Sequence, residues 1–208
     1  MAADQLIYVV DDDEAVRDSL ALLLEARGYT ARSFASARDF LAAAPSLRPG
    51  CLITDIRMPE MDGLELQTQL IEHALPFPLI VITGHGDVLL AVRAMKAGAI
   101  DFIEKPFAAE TILNSAATAL ARLADPHDQA LLATTAAARV ELLTPREREV
   151  LQGLLAGLPN KSIAYDLAIS PRTVEIHRAR VMDKMHARSL SELVRMSLAA
   201  GLQPPSGR

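Results

Sequence analysis

Asp11, Asp12 and Asp13 follow the apolar run Leu6 to Val10, and Asp55 follows Cys51-Leu52-Ile53-Thr54. Thr83 closes Leu79-Ile80-Val81-Ile82, and Lys105 with Pro106 follows Asp101-Phe102-Ile103-Glu104. In an open parallel α/β sheet, ligands gather just beyond the carboxyl ends of the strands, so these positions would converge although they lie far apart in the chain. Acids from two strands, a hydroxyl and an ammonium suit transfer of a phosphoryl group to a carboxylate. Asp11 or Asp12, with Asp55, can hold a hard divalent cation and leave coordination positions for phosphate oxygens. That cation would offset repulsion among the crowded carboxylates. Asp55 can then act as nucleophile and form an acyl phosphate. Thr83 can donate its hydroxyl hydrogen to a phosphoryl oxygen, and Lys105 supplies a point charge. Taken singly, each residue is ordinary: an acidic triplet is a solvated turn, and an Asp before a loop is a cap or turn residue. Their joint occurrence at successive strand ends points to chemistry.

The elements that must position them are legible as an alternation of short apolar runs with segments of helical period. The first helix, roughly Glu14 to Arg27, places Val16, Leu20, Leu23 and Leu24 on one face and stops at Gly28. Asp13 opens it, where an acid is favoured by the helix dipole. Further helical segments run over Asp39 to Ala43, Leu64 to Glu72, Val88 to Ala97 and Glu110 to Leu123, with Gly63, Gly84, Gly86 and Gly98 punctuating loops. Five strands alternating with five helices predict an α/β fold with a doubly wound, five-stranded parallel sheet.

An Ala-rich stretch follows between Arg122 and Leu143, with a break at Asp125-Pro126. It reads as a partly helical linker without a core-forming element. Residues 144 to 202 then read as four short helices. Thr144-Pro145-Arg146-Glu147 supplies an N-cap, a Pro at the first helical position and a capping-box Glu. Gly157 stops that helix, Asn160 caps the second, Ser170-Pro171 starts the third, and Ser189 with Glu192 forms another capping box. The second and third helices, Asn160 to Leu167 and Pro171 to Met185, have the layout of a helix-turn-helix, whose later helix enters the major groove of DNA. Val174, His177, Val181 and Met185 fall on the inward side, which makes His177 a structural histidine. Arg172, Glu175, Ile176, Ala179 and Arg180 project outward and suit base edges and a thymine methyl; Glu175 can accept from cytosine N4 or repel phosphates. Arg178 and Lys184, seen alone, are ordinary solvated charges, and on this helix Arg178 joins the DNA-binding set.

Half of the 208 residues are apolar, charged residues make up 23%, and there is no Trp. This is a globular, aliphatic composition. No apolar run is long enough to span a bilayer and no leader precedes the first strand, which predicts a cytoplasmic protein without membrane contact. Cys51, the one cysteine, opens a strand as a small buried hydrophobe. His73, His85, His127 and His186 show no metal-ligand spacing. Lys and Arg number 10 against 18 Asp and Glu up to residue 125, and 11 against 8 from residue 126 on. Only the second, mildly basic part suits a polyanion.

The segments VVDDDEAVRDSL, LITDIRMPEMDGLEL, VITGHGD and AMKAGAIDFIEKPF resemble the receiver domain of bacterial two-component response regulators. LTPREREVL, AGLPNKSIAYDLAISPRTVEIHRARVMDKM and SLSELVRMSLAAGL resemble the LuxR-type DNA-binding domain. In this order they resemble the FixJ/NarL class of response regulators, nearest its FixJ branch. The resemblance implies a receiver over residues 1–122, a linker over 123–142 and a small all-α helix-turn-helix domain over 143–208. It implies Asp55 as phosphoacceptor and Mg²⁺ held by Asp11, Asp12, Asp55 and the backbone carbonyl of Arg57. Thr83 and Phe102 would form a switch pair, with Val92 and Lys96 on the face they remodel, and Lys161 and Thr173 would contact DNA phosphates. The partners it implies are a FixL-like histidine kinase, promoter DNA, RNA polymerase and, on phosphorylation, a second copy of the chain. The expected function is a phosphorylation-activated transcriptional activator and not an enzyme. Two alternatives remain open: a regulator working without phosphorylation, and a metal-dependent phosphatase using Asp11 with Asp13.

Overall fold

Apolar runs of five residues are too short for core helices and, bounded by turn residues, form buried strands. The computed structural model describes residues 5–84, 87–124 and 128–202. His85, Gly86, the Asp125-Pro126 break and His127 lie outside them. Strands β1 (Leu6–Val10), β2 (Thr30–Phe34), β3 (Cys51–Asp55), β4 (Leu79–Thr83) and β5 (Asp101–Glu104) pair in parallel in the order β2-β1-β3-β4-β5. Helices α1 (Glu14–Glu25), α2 (Ala37–Ala43), α3 (Gly63–Glu72), α4 (Val88–Lys96) and α5 (Ala109–Ala124) alternate with them. This is the doubly wound sheet that the alternation predicts.

Period-two side-chain alternation gives the inner strands β1, β3 and β4 two buried faces, whereas the edge strand β2 has only exposed and half-buried positions. On one face Ile7, Val9, Ile53 and Ile82 pack with Leu20 and Leu24 of α1 and with Ile112 and Ala116 of α5. On the other, Tyr8 meets Phe34, Phe40 and Phe77 in a cluster of tilted and edge-on rings, and its hydroxyl donates to the Arg48 carbonyl at 2.8 Å. Asp13 caps α1 by accepting from the Ala15 amide at 2.9 Å. The helix ends at Glu25, two residues short of the expected Arg27, and Gly28 takes the left-handed turn at φ 84°.

By their contacts, residues 1–86 with 97–126 form one compact unit, and residues 87–96 with 127–208 form another. Among the described residues the second unit contains α4 and five further helices: α6 (Asp128–Glu141), α7 (Pro145–Leu155), α8 (Asn160–Asp166), α9 (Pro171–Met185) and α10 (Leu190–Ala199). Its apolar core includes Val150, Leu154, Ile163, Val174, Val181 and Leu193. Helix α6 corrects the expectation of a linker without core-forming residues: Ala136 and Val140, one turn apart, are buried, as is Leu143 just beyond. Thr144 and Glu147 make the expected capping box. Asn160 does not cap α8; it is the first helical residue, Pro159 holds the cap position, and no side chain bonds there. Ser189 does accept from the Glu192 amide, but the Glu192 carboxylate bonds the Arg188 amide at 2.8 Å, so the second box is only half formed. Gly153 lets α8 approach α7: a Cβ there would stand 2.8 Å from Ile163.

Candidate phosphoacceptor site and nucleic-acid interface

Strand register fixes the first site. Val10 pairs with Thr54, Asp55 with Ile82, and Thr83 with Glu104. Asp11 and Asp55 therefore emerge side by side at one sheet edge, with Thr83 and Lys105 a step further along the neighbouring strands. The Lys105 amide donates to the Thr83 carbonyl at 2.7 Å, which locks the two ends together. Lys105 Nζ reaches Asp11 Oδ2 at 3.0 Å and Asp55 Oδ1 at 2.8 Å. Burial alone would lower the Lys105 pKa, but these two bonds overcome it and hold the ammonium above its ordinary value.

Local bonds set both carboxylates. Asp55 Oδ2 accepts from the Arg57 amide at 2.6 Å, and Asp11 Oδ1 accepts from the Asp13 amide at 2.9 Å. Asp11 is 1% exposed and Asp55 7%, and Thr83 is buried with them. Asp12 is exposed, and Asp13 is exposed as the α1 cap, so the two do not join the buried pair. Among the described residues no group of three or more His, Cys, Asp or Glu side chains is placed to hold a metal ion. Two buried carboxylates with a backbone carbonyl nonetheless suit Mg²⁺, which takes few protein oxygens and keeps several of its waters. Asp13 in its capping role also leaves no Asp-x-Asp pair facing Lys105, as the phosphatase alternative requires. Phe102 is half-buried on β5, opposite Val81, and Val92 is buried at 1% exposure.

Two positioning residues escape a reading by residue type. Arg17 Nη1 donates to the Asp11 carbonyl at 2.7 Å, holding the acidic loop. Gly63 begins α3 where a Cβ would lie 2.3 Å from the Asp55 carbonyl oxygen. The only sequence signals are a basic residue one helical turn into α1 and a Gly after an Asp.

The second candidate surface is the exposed side of α9. Ser170 caps the helix by accepting from the Thr173 amide at 3.1 Å, and the two hydroxyls lie 2.8 Å apart. Arg172, Glu175, Ile176, Ala179 and Arg180 are exposed, as is Lys161 in the first turn of α8, while Thr173 and Arg178 are half-buried. Val174, Val181 and Met185 are fully buried, and His177 is half-buried beside them. Lys184 is no member of the outward set: its Nζ bonds Glu147 Oε2 at 2.7 Å. Burial would raise the Glu147 pKa, but bonds from Lys184 and from the Thr144 amide and hydroxyl hold it down at about 2.

Two family models match these units: the response regulator receiver domain over residues 7–117, and the luxR family of bacterial regulatory proteins over residues 141–197. FixJ of Rhizobium meliloti (strain 1021) is 53% identical over 201 residues, covering 97% of this chain and 98% of FixJ. The response regulator TmoT of Ectopseudomonas mendocina is 43% identical over 93% of this chain and 88% of its own. A crystal structure of full-length FixJ from B. japonicum matches with a TM-score of 0.58 at 48% identity, covering 96% of this chain and 98% of that one. With half its residues shared from end to end, and a receiver preceding a LuxR-type DNA-binding unit, this chain belongs to the FixJ-like response regulators, a family of transcription regulators rather than enzymes.

Proposed function

We propose that the chain is switched by phosphorylation of Asp55 and that the switch governs transcription through DNA binding by α9. The observation that carries this reading is the sharing of Lys105 Nζ by Asp11 and Asp55, at 3.0 and 2.8 Å. An acid held beside a second acid and a cation is oriented for attack and supplied with charge for the oxygens it receives. A carboxylate oxygen of Asp55 attacks the phosphorus of a phosphohistidine on a partner kinase, the phosphorus–nitrogen bond breaks, and the imidazole leaves with its electron pair. Asp11, Asp12, Asp55 and the Arg57 carbonyl would hold Mg²⁺, which neutralises charge on the phosphoryl oxygens when bound. Lys105 stays beside the new phosphate, and Thr83 turns its hydroxyl toward it.

The groove beside Lys105 suits the approach of such a donor. It holds about 400 Å³ between Val16, Ser19, Leu20 and Leu23 of α1 and Phe107 and Ala109 past β5. Movement of Thr83 vacates space that Phe102 enters, and the remodelled surface pairs two chains. Pairing matters because one helix-turn-helix buries too little surface for tight specific binding, and dimers read symmetric sites. Lys161, Arg172, Thr173, Arg178 and Arg180 would meet phosphates or bases, with Glu175, Ile176 and Ala179 against base edges. The paired protein would recruit RNA polymerase as an activator in the cytoplasm. Among the described residues no helix is long and apolar enough to cross a membrane.

Acetyl phosphate with Mg²⁺ tests the switch. Intact mass should rise by one phosphoryl group in the wild type and not in Asp55→Asn, and only the wild type should then elute as a dimer. Phosphate on another residue, or equal dimerisation of Asp55→Asn, overturns the reading.

A further inference from the structure

The carboxyl end of α9 is held by more than its own helix. The last four carbonyls of a helix have no partner within it. At α9 one of them, Met185 O, accepts from Arg139 Nη1 on α6 at 3.0 Å, and His186 turns into the left-handed region at φ 51° directly after it. One residue earlier, Lys184 Nζ donates to the Leu142 carbonyl at 3.1 Å and to Glu147 Oε2 at 2.7 Å. That same Glu147 oxygen accepts from the Thr144 amide at 2.8 Å. The segment after α6, the start of α7 and the end of α9 thus meet at one carboxylate and one ammonium. The Glu147 side chain is 3% exposed and that of Lys184 33%.

We infer that Arg139 and Lys184 are positioning residues for DNA recognition, fastening the carboxyl end of α9 to α6 and α7 and so fixing the angle at which its exposed face is presented. The inference rests on α9 being the DNA-reading helix. Neither residue touches DNA in this reading. Arg172 lies twelve residues before Lys184, a lever of about 18 Å at the helical rise. A tilt of about 10° at the fastened end therefore displaces Arg172 by about 3 Å, whereas a base hydrogen bond works within a range of a few tenths of an ångström. Long, flexible side chains on phosphates tolerate such a shift; base contacts do not. The fastening thus governs specificity more than general attraction to DNA. It also makes α6, by sequence a linker, a working part of the reading unit.

The test uses the full-length phosphorylated chain, a duplex that the wild type enriches from a random-sequence pool, and an unrelated duplex of equal length. Arg139→Gln and Lys184→Met should each weaken binding to the enriched duplex roughly tenfold and leave the unrelated duplex within about twofold. The slope of log affinity against log salt should not change, because no phosphate contact is lost. Arg139→Lys, which keeps a donor within reach of Met185 O, should recover most of the loss. Amides of Met182 to Ala187 should exchange faster in Arg139→Gln, at unchanged helix content. Equal weakening on both duplexes with a slope reduced by about one makes Lys184 a phosphate ligand and overturns the inference, as does unchanged affinity and exchange in Arg139→Gln. If the wild type enriches no duplex at all, the DNA-reading role of α9 falls instead. Unchanged exchange at 182–187 would then overturn the fastening as well, and faster exchange would sustain it.

Discussion

One ammonium between two buried carboxylates is a strained economy of charge, and it makes Lys105 the most exposed point of the site to mutation. In Lys105→Met, Asp11 and Asp55 would face each other without a cation. Stability in urea should fall by about 1–3 kcal/mol, and Mg²⁺ should restore part of it. A different residue promises a gain. Ala168 sits at φ 51° between α8 and α9, in the left-handed region that L-residues occupy at a cost of about 1–2 kcal/mol. Ala168→Gly should raise stability by about 0.5–1 kcal/mol net of chain entropy, measurable as a higher urea midpoint. At this scale the sequence is informative where chemistry and position coincide. Asp55 and Lys105 stand at the ends of apolar runs, so residue type and strand register agree. Lys184 reads from its own helix as an ordinary solvated charge, and its bond to Glu147, thirty-seven residues away in sequence, is visible only once the chain is folded. Asp12, adjacent to Asp11 in sequence, lies past the end of β1 and faces solvent, which residue type alone does not distinguish from the buried Asp11.

Elements were legible to the extent that their signals were local. The cap at Asp13, the Thr144 to Glu147 box and the Ser170 cap each depend on a few neighbouring residues, and all three form. Helix α6 was harder to read because Ala-rich helices have weak amphipathic contrast; its buried face rests on Ala136 and Val140, and what covers them comes from elsewhere in the chain. The close contact of Gly63 with the Asp55 carbonyl predicts that Gly63→Ala shifts α3 and β3 apart. Phosphorylation by acetyl phosphate should slow several-fold while the second unit keeps its own melting behaviour. Glu147 gives a pH dependence for the helical unit. Its carboxyl lies at about 2 against an ordinary 4.5, so its contribution is fully present above about pH 4.5 and is lost as pH falls through about 2. Thermal melts between these limits should show the loss in the wild type and a flatter profile in Glu147→Gln.

Across the whole molecule, the charge division separates the two tasks. The acidic part holds the carboxylate site, and the part from residue 126 on, with 11 basic against 8 acidic residues, carries the surface that would approach a polyanion. DNA affinity of the phosphorylated protein should therefore fall steeply with salt. Substitution of exposed acids such as Asp18 or Glu72 in the first unit should leave that slope unchanged, as titration by fluorescence anisotropy would show. Dimerisation and tight DNA binding should appear together on phosphorylation and disappear together in Asp55→Asn.

The bridging of Asp11 and Asp55 by Lys105 has a practical corollary for anyone handling the protein. Because an internal cation already stands between the acids, removal of divalent ions by a chelator should leave the purified protein folded during storage, with an unaltered circular dichroism spectrum. Only its response to a phosphodonor should vanish, and it should return as soon as magnesium is added back.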